Sequence, residues 1–151
     1  KNRMNENERQ EFLSAFRKTP DNTLIAFAVM GGIFSEGIDL TGDRLLGAIV
    51  VGVGLPQLSV ERDLIADYYK KMNGRGFEYA YMLPGLNRVM QAAGRVIRTE
   101  CDRGFVLLLD DRFLQRRYLE QYPPEWRHFI QVTSPEQVID ILTEFWSQNK
   151  N

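Results

Sequence analysis

Gln91-Ala92-Ala93-Gly94-Arg95-Val96-Ile97-Arg98 sets one amide and two guanidinium groups at helical spacing. At about 100° per residue, Gln91, Arg95 and Arg98 fall within about 60° of one another on a helical wheel. Leu86, Val89, Met90, Ala93 and Ile97 recur at the same period and take roughly the opposite side. The spacing predicts a single helix through residue 98, packed by one face and positively charged on the other. Gly94 inside such a helix costs about 1 kcal/mol relative to alanine, so its missing side chain predicts a close approach by backbone or phosphate. A Gly-Arg-x-x-Arg taken alone is most often a solvated surface. The oxyanion reading therefore depends on the rest of the chain.

Moving outward, Pro84 suits the first turn of this helix, and Tyr79-Ala80-Tyr81-Met82-Leu83 before it reads as a short edge strand or an extended approach. Three apolar runs, Leu24-Ile25-Ala26-Phe27-Ala28-Val29, Ala48-Ile49-Val50-Val51-Gly52-Val53 and Phe105-Val106-Leu107-Leu108-Leu109, have the uninterrupted character of strands buried on both faces. Helical patterns separate them, which predicts an α/β fold with a parallel sheet and right-handed crossovers. One pattern spans residues 8–18, after Asn7. Another spans 59–72, with Leu64, Ile65, Tyr68, Tyr69 and Met72 in phase and Asn73-Gly74 as a left-handed cap. A short helix is expected between the third strand and Pro123-Pro124, and Phe129-Ile130-Gln131-Val132 reads as a last strand. Ser134-Pro135-Glu136-Gln137 opens a closing helix over 135–147, striped by Val138, Ile141, Leu142 and Phe145.

The 151 residues are 44% hydrophobic and 26% charged, which bounds the chain to one globular domain with a sizeable core. A formal charge of −1 argues against a protein that grips nucleic acid with its whole surface, so any such contact is a local patch. Cys101 is the only cysteine, excluding an internal disulfide and a thiolate cluster for zinc or iron–sulfur. No apolar run approaches membrane-spanning length and residues 1–10 are polar, which predicts a cytoplasmic protein without a membrane partner.

The stretch 91–98 resembles the Gln-x-x-Gly-Arg-x-x-Arg signature that closes the second motor domain of superfamily 2 helicases, and it matches at every signature position. Gly31-Gly32-Ile33-Phe34-Ser35-Glu36-Gly37-Ile38-Asp39-Leu40 is similar to the preceding helicase motif in its Ser-Glu-Gly-Ile-Asp form, which points to the DinG-type, XPD-like branch. Gly54-Leu55-Pro56, Asp102-Arg103-Gly104 and Asp110-Asp111-Arg112-Phe113 also resemble that branch. Read by themselves, these three are turns that fix the flanking elements.

The resemblance, over roughly residues 8–147, implies a RecA-like parallel sheet flanked by helices, with the opening strand and helix of that domain outside this chain. It implies that Arg98 and Arg95 act as catalytic arginines on the γ-phosphate of ATP, with Gln91 positioning them or contacting the nucleotide. Gly37 and Asp39 would lie nearest the nucleotide, as would Gly94, while Ser35 and Glu36 would couple it to single-stranded DNA, tracked 5′ to 3′. No Gly-x-x-x-x-Gly-Lys-Ser/Thr loop and no Asp-Glu-x-His box occurs here, so ATP and magnesium would be held mainly by a P-loop domain elsewhere in a longer parent. An iron–sulfur cluster, if the parent has one, would also lie outside this chain, and no metal-binding residues are assigned here. Two rivals remain open from the residues: a non-catalytic α/β module whose arginines bind nucleic acid or protein carboxylates, and the helicase-like part of a nuclease.

Overall fold

Strands β1 (Gly47–Val51) and β2 (Phe105–Leu109) pair in parallel, with Gly47 opposite Phe105 and Val51 opposite Leu109. The computed structural model describes residues 5–16, 22–30, 32 and 44–148. These divide between Tyr118 and Leu119 into two compact units.

In the first unit, α1 (Glu6–Ser14) starts earlier than Asn7 would place it, because Asn5 is the N-cap. Its side chain accepts from the Glu8 N–H at 2.9 Å while the Glu8 carboxylate accepts from the Asn5 N–H at 2.8 Å, a reciprocal capping box. The helix ends at Ser14, four residues short of the expected end. Helix α2 (Val60–Asn73) follows β1 with Ser59 as its N-cap and Gly74 as a left-handed cap at φ 76°, as the sequence predicts. A π-helical segment (Glu78–Met82) runs directly into α3 (Leu83–Ala93), replacing the expected edge strand or extended approach. After β2 come a 3-10 turn (Asp111–Leu114) and a one-turn helix α4 (Arg116–Leu119), where the sequence predicts a short helix and within whose last residues the first unit ends.

The core of this unit is Val50, Val53, Ala80, Tyr81, Met82, Leu86, Val89, Ala93, Val96, Phe113 and Tyr118. Helix α3 touches β1, and α2 packs on the π-helical segment. Two expectations fail here. Residues 24–29 form no strand, and Phe27 is 93% exposed. A strand exists only within a ladder, and the ladder of β1 and β2 does not include residues 24–29. Strand β1 is buried at Val50 but exposed at Ile49 and Val51, so it is covered on one face rather than both.

Asp110 organises the turn after β2. Its carboxylate accepts from the Arg112 backbone N–H at 2.9 Å and from the guanidinium at 2.8 and 2.7 Å. The Arg112 side-chain hydrogen bonds hold the Asp110 carboxyl below its ordinary value. The folded state thus binds this proton less readily than the unfolded chain does. The pair stabilises fully above the unfolded carboxylate value, near about 3.9, and that contribution is lost as pH falls through the lower folded value. Asp110→Asn keeps an oxygen for the backbone N–H and removes the charge. Its urea midpoint is expected to lie below wild type at pH 7, with the gap closing as pH drops below about 4. A gap independent of pH would remove the ion pair from the account.

In the second unit, a 3-10 turn (Pro124–Trp126) precedes α5 (Pro135–Ser147), whose bounds match the expected 135–147. The Ser134 hydroxyl accepts from the Gln137 N–H at 3.4 Å, but the Gln137 side chain reaches back to the Thr133 N–H at 2.7 Å rather than to Ser134. Residues 129–132 form no strand, and Phe129 and Ile130 are exposed. Tyr122 is buried with edge contacts to Trp126 and Phe129, and burial pushes its phenol up to about 12.

Candidate functional site

Helix α3 is fixed at its start by backbone chemistry. Proline has no N–H, so Pro84 cannot bond the carbonyl of Ala80 four residues before it. The Leu83 N–H instead bonds Glu78 O, five residues back, and the Ala80 carbonyl accepts from Arg62 Nη1 at 2.7 Å. The Tyr81 hydroxyl donates to Asp63 Oδ1 at 2.8 Å, which holds its phenol above the ordinary value. Two neighbouring residues of α2 thereby clamp the π-helical segment. One turn further on, a side chain on Gly85 would sit 2.7 Å from Val53 O, so α3 lies backbone to backbone against the loop after β1. Gly54, at φ 66°, completes that contact and gives Gly54-Leu55-Pro56 the structural role expected of it.

The end of α3 departs from expectation. The helix stops at Ala93 and Gly94 is its C-cap, at φ −65° and ψ −2°. The Gly94 N–H still bonds four residues back, to Met90 O at 2.8 Å, but Arg95 and Val96 bond three back, to Ala92 O at 3.3 Å and Ala93 O at 3.0 Å. This tightened turn rotates the chain off the helical wheel. As a result Val96 is buried at 3% exposure and Ile97 is 51% exposed, reversing the expected packing of Ile97. Val96 fills the space that a side chain on Gly104 would need, and that side chain would also lie 2.9 Å from Leu46 O. The turn is therefore seated beside the residues that precede β1 and β2, at the opposite end of β1 from the Gly54 contact. Gly94 carries no helix-interior penalty, because it sits at the cap.

Gln91, Gly94, Arg95, Ile97 and Arg98 nevertheless line one depression open to solvent. Gln91 projects from the last turn of α3, Arg95 is half-buried in the tightened turn, and Arg98 is exposed beyond it. The three residues singled out by helical spacing line it by way of a turn instead. Residues 31 and 33–43, which include Ser35, Glu36, Gly37 and Asp39, lie outside the described residues.

Asp102, part of a stretch that resembles the DinG-type pattern and by itself reads as a turn, caps the segment that carries Arg98. Its Oδ2 accepts from the backbone N–H groups of Arg98 and Thr99, both at 2.9 Å, and its own N–H donates to Thr99 O at 3.1 Å. An aspartate three and four residues after backbone donors that have just left a helix is the sequence signal for such a cap. Two guanidinium groups and an amide form a donor set suited to phosphate or carboxylate oxygens. Among the described residues, no group of His, Cys, Asp and Glu could hold a metal ion, and no helix is long and apolar enough to cross a membrane.

The family model described as "Helicase C-terminal domain" matches residues 2–129, which include the depression and its cap. The chain belongs to the helicase C-terminal domain family. Within it, the relatives place the chain in the DinG/XPD type of superfamily 2, and its helices and parallel strand pair are those of an α/β, RecA-like domain. The chain is 38% identical to the ATP-dependent DNA helicase DinG of Photobacterium profundum over 99 residues, 62% of this chain and 14% of that protein. It is 36% identical to the ATP-dependent DNA helicase XPD of Sulfolobus acidocaldarius over 102 residues, 62% of this chain and 18% of the relative. A regulator of telomere elongation helicase 1 homolog from Oryza sativa subsp. japonica is 28% identical over 148 residues, 91% of this chain and 14% of the relative. This helicase C-terminal domain thus spans under a fifth of the length of each of these three relatives.

Proposed function

We propose that this chain is part of the second motor domain of an ATP-dependent DNA helicase and supplies the arginine finger to a P-loop domain outside it. The observation that carries the reading is the convergence of Gln91, Arg95 and Arg98 on one solvent-open depression. Charge spread over the γ-phosphoryl group in the transition state is stabilised by such guanidinium groups, commonly by about 10³-fold or more in rate. Arg98 is the finger, Arg95 its companion, and Gln91 positions them or contacts the nucleotide. Gly94 leaves one wall of the depression without a side chain, which suits an approaching phosphate.

Gly37 and Asp39 complete the nucleotide side, and Ser35 and Glu36 couple it to single-stranded DNA. Magnesium accompanies ATP on the P-loop domain. Any iron–sulfur cluster is ligated outside this chain, since Cys101 is its only cysteine. The family match crosses the boundary between the two units, which supports treating both as parts of one motor domain. Exposed apolar residues at Ile49, Val51, Leu58, Leu64 and Tyr68 support a chain that meets further protein surface. The location proposed is cytoplasmic.

The division of labour is tested with the purified 151-residue chain. It is expected to release no phosphate from ATP, with or without single-stranded DNA, whereas the full-length protein turns over. DNA-stimulated turnover by the chain alone would place the whole catalytic apparatus here and overturn the proposal.

A further inference from the structure

We propose that Asp102 is the positioning residue for Arg98, a role that rests on the reading of Arg98 as the finger. Helix α3 ends at Ala93, its last four-back bond runs from the Gly94 N–H to Met90 O, and β2 begins at Phe105, so neither helix nor strand aims Arg98. Between them, Oδ2 of Asp102 receives the N–H groups of Arg98 and Thr99 at 2.9 Å each. One carboxylate oxygen has two lone-pair sites, and hydrogen bonds to an ionised acceptor are stronger than neutral ones. Holding two consecutive peptide planes sets the direction in which the Arg98 side chain leaves the backbone. The Asp102 N–H bond to Thr99 O closes the turn on itself, and Gly104, two residues on, makes room for Val96 on the other side of Arg98. Arg98 is thus held between a buried anchor at Val96 and a carboxylate cap at Asp102.

Transition-state stabilisation depends on preorganised donors, and a displacement of about 1 Å can cost about 10²-fold in rate. Loss of the cap acts on kcat through the finger rather than on binding of the nucleotide. Asparagine in place of Asp102 retains a side-chain oxygen that accepts both N–H groups, whereas alanine retains none. The chemistry therefore separates capping from charge.

The test uses the full-length helicase and compares Asp102→Ala, Asp102→Asn, Arg98→Ala and the Asp102→Ala/Arg98→Ala double variant. The readouts are DNA-stimulated ATPase kcat, KM for ATP and thermal melting. Asp102→Ala is expected to lower kcat about 10- to 100-fold with KM near wild type. Asp102→Asn should restore most of the rate, and the double variant should be no slower than Arg98→Ala alone, because both substitutions remove the same contribution. Wild-type kcat in Asp102→Ala, alongside a crippled Arg98→Ala, overturns the positioning role and leaves the finger standing. Wild-type kcat in Arg98→Ala overturns the finger reading and this proposal with it. If Asp102→Ala melts below the assay temperature, Asp102→Asn carries the test. A loss as deep as that of Arg98→Ala with wild-type melting then assigns the role to charge and overturns capping.

Discussion

Arg98→Ala in the full-length protein is expected, on the proposed function, to lower the DNA-stimulated kcat for ATP hydrolysis by about 10³-fold or more, with ATP binding and melting temperature nearly unchanged. The stability half of this expectation follows from where the residue sits. Arg98 lies beyond the end of α3, exposed among the residues that line the depression, while the neighbouring Val96 is buried. Truncating an exposed side chain leaves no cavity in the core, so the cost to folding should stay within about 0.5 kcal/mol. The rate half follows from the chemistry of the guanidinium, whose planar fork of donors matches phosphoryl oxygens. Arg98→Lys keeps the charge without the fork and should recover only part of the loss. Steady-state kinetics and differential scanning fluorimetry on the same preparations decide the matter. A sharp fall in melting temperature with intact kcat per folded molecule would make Arg98 a structural residue.

A large loss of stability is expected from Gly85→Ala. A side chain there would meet Val53 O at 2.7 Å and the Gly54 carbonyl carbon and Leu55 N at 3.1 Å, all of them backbone atoms that cannot rotate away. Overpacking at such a contact costs about 3 kcal/mol, enough to lower the melting temperature of a domain this size by roughly 6–12 °C. Gly94→Ala is the control. That position has φ −65°, and its nearest neighbour beyond the adjacent residues is Met90 O at 3.2 Å, so the change should cost about 1 kcal/mol or less. Urea unfolding of the 151-residue chain measures both variants. Equal midpoints would mean that α3 and the loop after β1 are not held backbone to backbone in solution.

Several elements are legible from local chemistry alone. The bounds of β2 and α5, the left-handed end of α2 at Gly74 and the parallel pairing of two apolar runs all follow from patterns contained within each segment. An apolar run bounded by turns reads as a strand, and a hydroxyl just before a helix satisfies an N–H wherever that helix is placed. The family signature is equally local, because it is a spacing of side chains along one stretch. Where the chain needs a distant partner, the amino-acid order alone is silent or misleading. Residues 24–29 have strand composition, yet no ladder receives them among the described residues. The π-helical turn depends on Pro84 and on Arg62, eighteen residues before the carbonyl it serves.

The same division runs through the site. Helical spacing selects Gln91, Arg95 and Arg98, and the structure places those three residues around one depression. The means of bringing them together is tertiary. Val96 finds burial against Gly104, the helix yields at Gly94, and Asp102 takes the two backbone donors exposed by the turn. Periodicity presumes that the helix continues, and it takes no account of the burial a β-branched side chain gains by leaving it. That competition, between one more turn of helical hydrogen bonds and a closely packed Val96, is settled beside Gly104, eight residues away in the chain.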